Sequence, residues 1–126
     1  MITEDYVSLE TAKLLKERGF DEECTIAYFN ETLVDYTMFG FCLGGDLLYC
    51  PTLQMAMKWL REVHNTIIIV RLFNSAEHFY PGKPNQFTTD IASPTMSPQE
   101  GHIRSCYSTY EQACEAAIKY CLEKLI

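Results

Sequence analysis

The stretch over residues 66–73, Thr-Ile-Ile-Ile-Val-Arg-Leu-Phe, constrains the fold more than any other part of this 126-residue chain. β-Branched side chains favour extended backbone, and a strand that is apolar at nearly every position calls for cover on both faces. The run is therefore expected at the centre of a sheet. Just before it, Pro51 offers the fixed φ of a first helical turn, and Leu53, Ala56, Met57, Leu60 and Val63 share one stripe. That spacing predicts a helix to about His64, ended by Asn65 and joined tightly to the strand.

Two further helices are signalled at the ends of the chain. Ser8 followed by Leu9, Ala12 and Leu15 predicts a helix over 9–18, closed by Gly19 in the left-handed conformation with Phe20 folded back on Leu15. Near the other end, Ser108 and Glu111 form a capping box. Tyr110, Cys114, Ala117, Ile118, Cys121 and Leu125 then make an inward stripe, with Glu111, Glu115, Lys119 and Glu123 outside. Residues 24–29 and 32–36 read as a hairpin turning at Asn30-Glu31. Residues 41–49 read equally as a second hairpin, turning at Gly44-Gly45, or as a loop wrapping the core. Weaker strand signals lie at 86–91 and at 102–106, the latter an edge strand, and the stretch holding Pro94, Pro98 and Gly101 reads as a mobile loop. The order helix, strands, helix, strands, helix, without repeat or linker, predicts an α+β fold. The expected architecture is a single domain over residues 1–126, with one mainly antiparallel sheet and about three helices packed on it.

Charge and thiols narrow the function classes. Seventeen acids against ten bases give a net charge of −7, and residues 1–50 carry ten of those acids against three bases. Binding to nucleic acid needs clustered Lys and Arg, so no nucleic acid partner is expected. The acidic start, Met1-Ile2-Thr3-Glu4-Asp5, is unlike a secretory signal, and no apolar run approaches the roughly 20 residues of a membrane span. A cytoplasmic protein with no membrane contact is the expectation. Its six cysteines (Cys24, Cys42, Cys50, Cys106, Cys114, Cys121) then read as free thiols. Cys114 and Cys121 stand about 10 Å apart along a helix, too far to bridge.

No motif specifies a reaction. Zinc sites need close ligand pairs, and Cys42, Cys50, His64 and His78 are not so spaced, so neither metal nor cofactor is expected. Asp21-Glu22-Glu23 reads as a solvated acid run, and no phosphate-cradling glycine loop or Rossmann fingerprint occurs. On a strand, His102 and Cys106 would stand about 13 Å apart, out of direct reach. Cys50, at the amino end of the middle helix, is the better candidate for a lowered thiol pKa, although burial as an inert thiol outweighs it. No catalytic residue is assigned. Met55 and Trp59, four apart, lie roughly 100° from the centre of the middle helix's core stripe. They are the candidate interface residues, unless a neighbouring helix or the loop over 94–101 covers that edge.

Three blocks carry a resemblance. They run from Val7-Ser8-Leu9-Glu10 to Arg18-Gly19-Phe20, from Met55-Ala56-Met57-Lys58-Trp59 to His64-Asn65, and from Tyr110 to Ile126. These resemble small uncharacterised proteins encoded in prophages and other mobile elements of gut bacteria. The blocks cover less than half the chain and coincide with the three expected helices. The resemblance implies a mobile-element setting and a shared fold, but brings no activity to any residue. The reading is a non-enzymatic protein-interaction module, either a homodimer or a small regulator of a host or phage protein. The alternative is a small enzyme with a pocket lined by Tyr28, Tyr36 and Cys50. An acidic decoy imitating nucleic acid would need a denser acid surface than −7 over 126 residues.

Thiol counting under denaturing, non-reducing conditions, on protein purified without oxygen, is expected to find all six cysteines free. Two or fewer would contradict the reducing compartment.

Overall fold

A computed structural model describes residues 2–35, 47–72, 86–97 and 102–126, with the backbone alone at 102–104. Along these residues run α1 (Leu9–Glu17), β1 (Ile26–Phe29), β2 (Thr32–Asp35), β3 (Leu47–Tyr49), α2 (Leu53–His64), β4 (Ile67–Leu72), β5 (Phe87–Ala92), β6 (His102–Tyr107) and α3 (Tyr110–Tyr120). The end of α3 widens into a π-helical turn, Cys121–Leu125. This is an α+β chain in the order helix, strands, helix, strands, helix. Its strands form two three-stranded antiparallel sheets, β2-β1-β3 and β4-β5-β6, rather than one continuous sheet.

Local chemistry sets the element ends. Ser8 caps α1 by accepting the Thr11 amide at 3.2 Å. At the other end Gly19 takes φ +96°, the Phe20 amide donates to the Leu15 carbonyl at 2.9 Å, and Gly19 donates to Lys16 at 3.2 Å. These are the paired bonds of a Schellman end, as the Gly19-Phe20 sequence predicts. The β1–β2 hairpin turns through Asn30 and Glu31, both left-handed at φ 49° and 66°, and pairs Phe29 with Thr32 and Ile26 with Asp35. Of residues 41–49, only 47–49 are described, and they pair with β1. The Gly44-Gly45 turn, Tyr36, Cys42, His78 and residues 98–101 lie outside the described residues.

Several expectations are corrected. Among the described strands β4 is not central: it forms one side of its sheet, with β5 between it and β6. Ile68 and Val70 pack toward the core, while Ile67 and Ile69 point the other way at 43 % and 48 % exposed. A run that is apolar on both faces thus covers only one. Pro51 precedes the helix rather than starting it, because Thr52 is the cap and accepts the Met55 amide at 3.1 Å. Val63 falls off the stripe and is 56 % exposed. The cap of α3 is Thr109, which accepts the Gln112 amide at 3.1 Å, whereas the Ser108 hydroxyl turns to the Gln112 side chain at 2.7 Å. Within α3, Tyr110 is exposed at the first turn, and Leu122, not on the expected stripe, is fully buried in the π-helical turn.

The core gathers Leu15 of α1, Leu60 of α2, and Ile118 and Leu122 from α3 and its extension, all fully buried. Trp59 belongs to it too, at 7 % exposed. The Schellman end delivers the Phe20 ring edge-on to Trp59 at 5.4 Å, and His64 meets it from the other side at 4.7 Å. The end of α1 therefore covers the edge of α2 that sequence spacing leaves open. Met55 alone of that pair remains at the surface, 43 % exposed.

Two outcomes follow for urea unfolding. Trp59→Ala and Leu60→Ala are expected to cost comparable amounts, roughly 3–5 and 2–5 kcal/mol, because each empties a packed site. Thr109→Ala is expected to cost about 1 kcal/mol and Ser108→Ala much less. The reverse order would return the cap to Ser108.

Candidate functional site

The amino-terminal segment is held as a short extended piece beside the entry to α2. The Val7 amide donates to the Pro51 carbonyl at 3.1 Å and the Leu53 amide to the Asp5 carbonyl at 2.9 Å. Past Val7 the chain enters α1, which α3 holds through one carboxylate. Glu115 Oε1 accepts the Ser8 amide at 3.1 Å, the Ser8 hydroxyl at 2.5 Å and the Thr11 hydroxyl at 2.6 Å. An anion here also meets the positive end of the α1 dipole. Between the same pair of helices, Lys119 also reaches Glu10 at 2.8 Å and Arg18 Nε donates to the Leu122 carbonyl at 2.8 Å.

These contacts leave a groove of about 670 Å³ between the amino-terminal segment, the β1–β2 hairpin and α3. Val7, Tyr28, Leu53 and Ala116 line it together with Leu33 of β2 and Tyr107 at the end of β6. The paired position of Tyr107, opposite Phe87, follows an irregularity in the β5–β6 ladder between Phe87 and Thr89. Glu4, Asp5, Tyr6, Glu111 and Gln112 complete the lining with the clamped pair Ser8 and Glu115. A second hollow of about 240 Å³ lies next to it, bounded by Ile2, Thr3, Gln54 and Tyr110. Glu4, Asp5, Leu53 and Glu111 line both hollows, so the two form one trough with an acidic waist. No lysine or arginine lines either hollow among the described residues. A separate cavity of about 420 Å³ lies between the end of α1 and β3, lined by Lys16, Phe20, Asp21 and Tyr49 among others.

Under the groove wall the Tyr28 hydroxyl and the Cys50 thiol both donate to the Val7 carbonyl, at 3.2 and 3.3 Å. Burial raises the Tyr28 pKa, with the neighbouring Cys50 adding to it. Burial, helped by Cys24 nearby, pushes the Cys50 thiol up to about 12. This is the buried, inert thiol that the sequence favours, and it leaves no thiolate at the amino end of α2: the cysteine precedes the α2 cap and donates its hydrogen to a carbonyl. Cys121 is likewise pushed up to about 12 by burial. The enzymatic alternative thus keeps Tyr28 on a groove, gains no activated Cys50, and has Tyr36 outside the described residues.

Cys24, Cys50, Cys106, Cys114 and Cys121 are all free. No group of three metal-ligating side chains occurs among the described residues, and Asp21, Glu22 and Glu23 are exposed. The groove residues Glu4, Asp5, Tyr6, Tyr107 and Glu111 were not signalled as a site. In the sequence Glu4 and Asp5 carry no site pattern, and Glu111 and Glu115 fit an outward helix face. No helix among the described residues is long and apolar enough to cross a membrane. Comparison with protein-family models, with curated proteins and with solved structures finds no match.

Glu115→Ala is expected to cost about 2 kcal/mol in urea unfolding, since it strands three donors that now share one charged acceptor. Iodoacetamide at pH 8 is expected to label exposed Cys106 and spare Cys50 and Cys121 in the folded protein. Early labelling of Cys50 would contradict its buried, protonated state. Because the unfolded chain releases thiol protons near 9.0 that the fold retains to about 12, these two cysteines also lower stability as pH rises above 9.0.

Proposed function

We propose that this chain is a non-enzymatic protein-interaction module whose groove takes up a segment of a partner protein. The observation that carries this is the continuous trough itself. It is open, largely apolar in its larger hollow and drawn out through an adjoining, half-polar one, which suits an extended chain better than a compact substrate. Among the described residues its walls present no converging nucleophile and base. Glu115 is consumed by Ser8 and Thr11, and the Cys50 thiol beside the groove is buried and protonated.

A second copy of this chain is a poor occupant, because each brings a net charge of −7 and an acidic groove rim. Trp59, the strongest candidate for a self-association anchor on spacing, is spent inside the core. The partner is therefore taken to be a different protein. Free cysteines fit a cytoplasmic setting, which is part of the proposal. A mobile-element setting is part of the same proposal, with a host or phage protein as the partner this small regulator acts on.

The test is selection from a random peptide display library against the wild-type protein, with two groove-blocked variants as counter-targets. Ala116→Trp fills the floor and Leu33→Arg alters an exposed rim residue, so the two fail independently if either disturbs folding. The expected result is a set of enriched peptides that bind wild type and neither folded variant. Enriched peptides that bind all three alike would overturn the groove as the docking site.

A further inference from the structure

We infer that the segment taken up by the groove is basic, placing lysine or arginine at the waist between the two hollows and apolar residues on either side. This rests on the docking reading above and names the chemistry of the partner. Glu4, Asp5 and Glu111 each line both hollows, so any chain running through the trough passes all three carboxylates. None of them makes an ion pair among the described residues, where the pairs formed are Lys58 with Glu62, Arg71 with Asp90, and Lys119 with Glu10 and Glu123. Among the described residues no lysine or arginine in the lining offsets their field, and the apolar walls of a groove strengthen it. An acidic or phosphorylated segment would be repelled by the same arrangement.

The walls add a second, independent preference. Tyr6, Tyr28 and Tyr107 line the main hollow, and the Tyr28 hydroxyl is tied to the Val7 carbonyl, which fixes its ring. Tyrosine faces attract ammonium and guanidinium groups, more strongly where water is partly excluded. The aliphatic stems of Lys and Arg suit such walls while their heads reach carboxylates. Leu33 and Leu53 then offer apolar contact beside the charged waist, which a bare cation would not use. The groove thus fits a chain that alternates basic and apolar residues, and fits a free polyamine less well.

The experiment is fluorescence anisotropy with short synthetic peptides of matched length: lysine with leucine, glutamine with leucine, and glutamate with leucine, each at low and high salt. The lysine peptide is expected to bind at least about tenfold tighter than the glutamine peptide at low salt, with the advantage shrinking as salt screens the pairs. Combining Glu4→Gln, Asp5→Asn and Glu111→Gln is expected to remove most of that advantage. Combining Glu17→Gln, Asp21→Asn and Glu22→Gln removes the same charge away from the groove and is expected to leave it intact. Equal loss in both triple variants would reduce the effect to net charge and overturn the inference. So would spermidine competing as well as the lysine peptide. If the glutamine peptide binds as tightly as the lysine one, and Ala116→Trp blocks both, the basic preference fails while the docking reading stands. If no peptide binds and display selection also fails, both fail together.

Discussion

Helices α1 and α3 lie side by side and parallel, and the row of polar contacts between them joins the two halves of the molecule. Ser8 and Thr11 meet Glu115, Glu10 meets Lys119, and Arg18, just past α1, meets the Leu122 carbonyl, so the start of α1 faces Glu115 and its end faces Leu122. On one side α1 packs against β3 and so carries the first sheet. On the other, α3 packs against β4, β5 and β6 and carries the second. Beneath the row, Leu15, Ile118 and Leu122 exclude water completely, so apolar burial supplies most of the stabilisation and the polar row sets the register. Glu115 is the tightest point, because one charged oxygen serves three donors.

That register also makes the groove. The chain leading into α1 forms one wall and α3 the other, so fixing Ser8 against Glu115 fixes the distance between Asp5 and Glu111. Glu115 has lost its freedom to the clamp while leaving its charge at the groove's edge. Glu4, Asp5 and Glu111 have no such partner among the described residues and face the same space. Like charges brought together around an apolar floor cost stability, and a basic partner is the chemistry that would relieve the cost. The groove and the fold therefore share one structural cause.

Much of the fold was legible because its signals are local. Gly19-Phe20 specified a helix end to the hydrogen bond, and Asn30-Glu31 placed the hairpin turn, since both depend only on neighbouring φ angles. The misreadings have the opposite character. Ser108 and Thr109 are adjacent hydroxyls, and only the end of β6 at Tyr107 decides which one caps α3. Leu122 escaped the stripe because the π-helical turn shifts the helical phase beyond Tyr120. β4 looked central because both its faces are apolar, yet strand order is set by which elements pack where, and α3 covers one face. Trp59 looked open because its cover, Phe20, comes from the turn that ends α1, thirty-nine positions earlier. The groove was the least legible part. It is assembled from an end segment, a hairpin and α3, and the Glu115 contacts that hold it span over a hundred residues.

Amide hydrogen exchange in the Glu115→Ala variant tests most directly whether this seam holds the groove wall. The Val7 and Leu53 amides, bonded to the Pro51 and Asp5 carbonyls, report on the wall, while the β4–β5 ladder reports on the rest of the fold. The account expects Val7 and Leu53 to lose protection selectively, with the Val70 and Thr89 region still protected. Unchanged protection at Val7 and Leu53, or an equal loss in the β4–β5 ladder, would contradict it.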